Sequence, residues 1–182
     1  MLPDLTDAGG NIRHLAVGAG KDQNIYLVDR DNMGKFNPSA NNVYQEIQGA
    51  LAGPVFSMPA FFNNTLYYGA VNDSLKAFSI SGARLASTWS SQSANSFPYP
   101  GATPSISANG ASNGIVWAVE NGSTAVLHAY DASNLSRELY NSNQAGSRDQ
   151  FGAGNKFITP TIANGLVYVG TTNGIAVFGR LH

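Results

Sequence analysis

Cysteine is missing from this 182-residue chain, which excludes disulfides, thiolate metal sites and a cysteine nucleophile. Charge is scarce as well: Asp, Glu, Lys and Arg make up 12% of the residues, about half the share of an ordinary soluble domain. The net charge is −1, and no basic cluster is present to neutralise phosphates, so nucleic acid is not an expected partner. No run of about 18 apolar residues occurs, so no membrane-spanning helix is expected. A basic stretch leading into an apolar one is absent, and no signal peptide is read. Helical periodicity is also absent, which removes helical solenoids.

What the chain does have is 43% hydrophobic residues, 20 Gly and 8 Pro: enough apolar surface for a core, cut by frequent turns. It also repeats itself. Residues 157–170 (FITPTIANGLVYVG) match 56–69 (FSMPAFFNNTLYYG). They match 102–110 (ATPSISANG), which resumes at 114–119 (GIVWAV) after a short insertion. Residues 14–18 (HLAVG) keep the second half of the same pattern. Leu27, Ala77, Ala129 and Val177 fall in register, about 50, 52 and 48 residues apart.

Within each unit the apolar residues alternate with period two, the mark of a strand. Asn109-Gly110 and Asn164-Gly165 read as hairpin turns, because Asn and Gly tolerate positive φ. Asn63-Asn64 holds the same place, and Asn173-Gly174 makes a later turn. First strands begin near Pro59, Pro104 and Pro160, where a missing N–H is harmless. Third strands read at 25–29, 75–79, 127–131 and 175–179. Fourth strands read at 43–47, 86–89 and 137–140.

The reading is an all-β chain, a β-propeller of four-stranded antiparallel blades with about four blades per chain. Approximate blades are 1–52, 53–100, 101–152 and 153–182, WD40-like in repeat length. Fifteen strands leave the last blade without its outer one, ending near Leu181. A sandwich fits less well, since sandwiches do not repeat their sequence at this spacing. Four blades can close as a monomer. They can also be half of an eight-bladed ring of two chains related by a two-fold axis, the favoured reading, which makes the partner a second copy.

Ala129-Tyr130-Asp131 followed by Tyr140 resembles the Ala-x-Asp…Trp signature of the pyrroloquinoline-quinone (PQQ) repeat propellers. Ala77-Phe78-Ser79 followed by Trp89 resembles it with the Asp replaced. Residues 13–21 and 24–32 look like later blades of large bacterial PQQ-like proteins, and 160–179 like their C-terminal end. The resemblance implies that Ala77 and Ala129 pack against the aromatics Trp89 and Tyr140 and lock blade to blade. It implies a periplasmic or secreted parent protein, and PQQ with Ca²⁺ as an alternative cofactor. The adjacent cysteine pair of true quinoprotein dehydrogenases is missing, and Trp117 lies in a second strand rather than at an axial floor.

Asp22, Asp73 and Glu120 occupy the hairpin between second and third strands in three successive units. They form a candidate rim of acids for a cation or a sugar, or solvate turns. Phe97, Tyr99 and Phe151 lie in the long loops 90–101 and 141–155, and could stack on a sugar or peptide or tuck against the next blade. Asp29 to Lys35 starts like a calcium loop, but Met33 and Ala40 fill positions that need oxygen ligands, so it reads as a polar turn. His14 and His128 have no partners that order alone can supply. No catalytic set converges. The preferred function is a non-catalytic module for binding or assembly, with a quinoprotein-type oxidoreductase and a hydrolase using rim carboxylates as alternatives.

Overall fold

The computed structural model describes residues 1–180; Leu181, near which the last unit was expected to end, and His182 lie outside them. The chain forms successive antiparallel meanders. In the first, β1 (Leu5–Thr6) pairs with β2 (Ile12–Arg13), and β3 (Leu15–Ala19), β4 (Ile25–Asp29) and β5 (Gln45–Ile47) follow side by side. Leu2 N–H donates to Leu15 O at 3.0 Å, so the opening segment runs beside β3. The second sheet holds β6 (Ala60–Phe62), β7 (Thr65–Tyr68), β8 (Asp73–Ser81), a short β9 (Arg84–Leu85) and β10 (Ser91–Phe97). The third holds β11 (Ser105–Asn109), β12 (Ser112–Glu120), β13 (Val126–Asp131) and β14 (Asn134–Asn141). The fourth holds β15 (Thr161–Ala163), β16 (Leu166–Gly170) and β17 (Ile175–Phe178). Helix is limited, among the described residues, to one 3-10 turn, Gly146–Asp149.

Local chemistry explains the strand ends. Pro59, Pro104 and Pro160 each sit immediately before a first strand, where no ladder N–H is needed. Asn63 (φ 44°) with Asn64 (φ 54°), and Asn164 (φ 51°) with Gly165 (φ 75°), make two-residue turns with both φ positive. The turn expected at Asn109-Gly110 is one residue later: Asn109 pairs with Ser112, and Gly110 (φ 59°) and Ala111 form the corner. The outer strand of the second sheet is also displaced. It is Ser91–Phe97, paired with β8, rather than 86–89, so most of the expected loop 90–101 is strand.

The sheets stack face to face in chain order, and alternation divides each inner strand between two cores. Leu66 and Tyr68 of β7, with Phe78 and Ile80 of β8, meet Leu15, Ile25 and Leu27 of the first sheet. Their neighbours Tyr67, Leu75 and Ala77 turn the other way, to Val116, Ala118 and Tyr130 of the third. Val119 and Leu127 then meet Val167 and Val169 of the fourth. Tyr67 Oη donates to Ala132 O at 2.7 Å, a buried link between second and third sheets. Backbones touch there too. Ala102 N–H donates to Gly69 O at 3.0 Å, and a Cβ at Gly101 (φ 83°) would lie 2.4 Å from that same oxygen.

The two end sheets differ from the inner pair. On the last one, Ile175 (69% exposed) and Val177 (53%) face outward from β17. On the first, Ala16, Gly18, Tyr26 and Val28 line a shallow, largely apolar outward concavity with Met33. The first and last sheets share no strand pairing, and the described residues close no ring.

Candidate functional site

Three segments leading into first strands bring an aromatic cluster together: Phe56 ahead of β6, Tyr99 ahead of β11 and Phe157 ahead of β15. Phe56 and Tyr99 have ring centroids 5.6 Å apart at 78°, Phe56 and Phe157 6.4 Å at 69°, and Tyr99 and Phe157 6.3 Å at 81°. These are edge-to-face geometries, favoured by the ring quadrupole. The rings are 40%, 45% and 58% exposed in the order Phe56, Tyr99, Phe157, far from the burial of a core cluster. Lys21 Nζ lies 5.5 Å from the Phe56 centroid and Lys156 Nζ 5.2 Å from that of Tyr99. Phe157 has φ 64°, a left-handed conformation in which, among the described residues, it is the only aromatic.

Next to the rings is a polar cleft of about 10 Å³, lined by Phe56, Ser57, Thr103, Asn121, Asn155 and Phe157. Asn121 Nδ2 donates to Tyr99 O at 2.9 Å, tying the hairpin between β12 and β13 to the cluster. Its other end, Oδ1, is buried without a hydrogen-bond partner, as is Ser57 Oγ. An unpaired buried polar atom is costly and calls for a partner.

Of the three rim acids, Asp22 lies in the turn before β4, Asp73 opens β8 and Glu120 ends β12, and each is engaged separately. Asp22 accepts the Tyr26 hydroxyl at 2.5 Å, the main reason its carboxyl sits below the usual range. Asp73 is buried and is taken up by the Lys76 ammonium at 2.8 Å and by the N–H groups of Ala52 and Ser74, both at 2.9 Å. Glu120 receives Asn95 Nδ2 at 3.3 Å and faces His128 Nε2 at 3.2 Å. His128 is buried, with Nδ1 2.6 Å from Glu138 Oε1 and its ring stacked 5.8 Å from Tyr130 at 8°. Both nitrogens face carboxylates, and both can donate only as imidazolium. Sequence order hides this string, although the register opposing Ala118 and His128 could have revealed it.

The aromatic candidates divide. Tyr99 is in the exposed cluster. Phe97 is fully buried, 5.7 Å from the His128 ring at 74°, and belongs to the core between second and third sheets. Phe151 packs on Phe178 at 5.6 Å and 83°. Ala77 and Ala129 are buried as expected, but Trp89 is 44% exposed, with Lys76 Nζ 4.4 Å above its ring, so it is no buried lock between sheets. Tyr140 lies opposite Ala129 and donates to Asp149 at 2.6 Å; burial, then that bond, raises its hydroxyl pKa. Asp29 accepts the Asp31 N–H at 2.9 Å, a turn of the expected polar kind. His14 Nδ1 lies 2.6 Å from Asp31 on the surface.

No set of three or more His, Asp or Glu converges as metal ligands among the described residues. The residues that sequence reasoning missed are Phe56, Phe157, Lys21, Lys156, Ser57 and Asn121. One signal was available: Phe56 and Phe157 open the repeat at the same position.

No family model matches the chain, and no curated protein matches it. Among solved structures, the crystal structure of the computationally designed Ika8 protein is similar at 14% identity and a TM-score of 0.40. The match covers 91% of this chain and 55% of that one, so the chain spans about half its length. No helix among the described residues is long and apolar enough to cross a membrane.

Proposed function

We propose that the chain is a non-catalytic β-propeller segment of the PQQ-like repeat type, a scaffold for binding and assembly. Two copies pair into an eight-bladed ring about a two-fold axis, the last sheet of each chain covering the first sheet of the other. One observation carries this reading: the inner sheets bury both faces, whereas the end sheets turn Ile175, Val177, Tyr26 and Val28 outward. The two end sheets that would meet are each three strands wide, about 14 Å across. The carboxylates a hydrolase would use are held by structural partners instead. That donor set does not fit a Ca²⁺-quinone centre either, since Asp22, Asp73 and Glu120 are engaged with separate groups. The chain's resemblance to periplasmic or secreted quinoproteins concerns scaffold rather than chemistry.

Light scattering tests the pairing. The chain weighs 19.1 kDa, and a mass of about 38 kDa is expected. Val177→Glu should halve that mass while leaving the β-sheet circular dichroism unchanged. A wild-type mass near 19 kDa refutes the paired ring. Quinone titration with Ca²⁺ tests the oxidoreductase alternative: stoichiometric uptake would remove the non-catalytic reading.

A further inference from the structure

We infer that the Phe56–Tyr99–Phe157 cluster, with Lys21, Lys156, Ser57 and Asn121, is a binding site for an acidic saccharide: a pyranose ring bearing a carboxylate. The inference deepens the binding half of the proposed function and does not depend on how copies assemble. Three observations select the ligand class, each excluding a rival.

The first is the apolar platform. Three aromatic rings, each 40% exposed or more, meet edge to face on one surface. Phe157 is held there at φ 64°, a conformation disfavoured for a side chain with a Cβ, which persists where the surrounding structure over-determines it and which clusters at ligand sites. Such rings accept the C–H face of a sugar, and a fully polar ligand would leave them unused.

The second is charge. The ammonium groups of Lys21 and Lys156 sit over two of the three rings, and among the described residues neither takes part in a salt bridge. Two unpaired cations beside one platform favour an anion over a neutral sugar. The third is the cleft next to the rings. Its volume, about 10 Å³, suits a single hydroxyl-sized group. Asn121 Oδ1, buried and unpaired, can only accept, and Ser57 Oγ, from another residue of the same lining, can accept or donate. A hydroxyl satisfies both. An aromatic carboxylate would suit rings and lysines but brings no hydroxyl to the cleft.

Calorimetric titration of the intact chain with trigalacturonate, maltotriose and benzoate tests the inference. Trigalacturonate should bind saturably, about tenfold or more tighter than either competitor. The Lys21→Ala/Lys156→Ala variant, whose changes are at exposed ammoniums, should lose that preference while keeping the wild-type melting temperature. Ser57→Ala should weaken trigalacturonate several-fold and leave benzoate unchanged. The inference is overturned by absence of saturable trigalacturonate binding up to about 10 mM, by equal affinity for maltotriose or benzoate, or by a lysine variant that binds like wild type. Light scattering on the same samples separates the two readings: a monomer that binds the acidic sugar sinks the paired ring alone, and a dimer that does not bind sinks this site alone.

Discussion

Replacing Asp73 by alanine removes an acceptor on which three donors converge. The Oδ2 atom takes the Lys76 ammonium at 2.8 Å and Ala52 N–H at 2.9 Å, and Oδ1 takes Ser74 N–H at 2.9 Å. Both ionic side chains are buried, at 7% and 5% exposure, so water cannot replace the lost partner. Stranding the Lys76 charge costs about 3–5 kcal/mol. For a domain of this size that is a melting-temperature drop of about 6–20 °C. The Trp89 ring, 4.4 Å from Lys76 Nζ, offsets part of the loss and sets the lower end of the range. The double variant Asp73→Ala/Lys76→Met removes the stranded charge and should be about 2 kcal/mol less destabilised than Asp73→Ala alone. Urea unfolding of wild type, both single variants and the double gives the cycle. If Asp73→Ala costs less than about 1 kcal/mol, or if the two substitutions simply add, the carboxylate is not a structural clasp. A rim acid working on substrate would then return as the better account of Asp73.

Tyr67→Phe deletes the buried hydroxyl that donates to Ala132 O at 2.7 Å, and should cost about 1 kcal/mol in urea unfolding with an unchanged denaturant slope. Gly101→Ala places a Cβ 2.4 Å from Gly69 O at φ 83°, so a loss of about 2 kcal/mol or more is expected by thermal melting; an unshifted transition would mean that the contact between units yields freely. Asp7 is held at about 2 by the Asn11 N–H and then the Arg13 guanidinium, and Asp149 at about 2 by the Arg148 guanidinium and then the Tyr140 hydroxyl. Their folded-state values lie below the unfolded ones, so the stability they add is present above about pH 4 and fades as pH falls through about 2. Carboxyl NMR titration should show both low midpoints, and Arg148→Leu should raise that of Asp149.

Much of the chain was readable because its repeat is written in turn and strand chemistry. The prolines before β6, β11 and β15 and the Asn-rich corners give away the strand starts without any tertiary information. The outer strand of the second sheet was not readable. Ser91–Phe97 is almost wholly polar, and it pairs because Ser93 Oγ accepts the Leu75 N–H at 2.9 Å and Phe97 anchors its end. Trp89 misled for the opposite reason: an aromatic suggests burial, yet this one lies at the surface beneath a lysine. Which donor each acid would find was not readable, because it depends on side chains and backbone groups that only the folded chain brings within reach. The repeat aligns Phe56 with Phe157 but leaves Tyr99 out of register, so only the stacking of sheets brings the three together.

The back-to-back placement of Tyr67 and Tyr68, one serving each neighbouring core, makes reading frame a physical property of this molecule. Adding or deleting a single residue within β7 would exchange the two hydrophobic surfaces and spoil both junctions at once. Length changes during divergence are therefore expected to accumulate in connectors such as the one between β14 and β15, or to arrive in pairs. A lineage can lengthen such a chain by whole modules far more readily than it can adjust one strand.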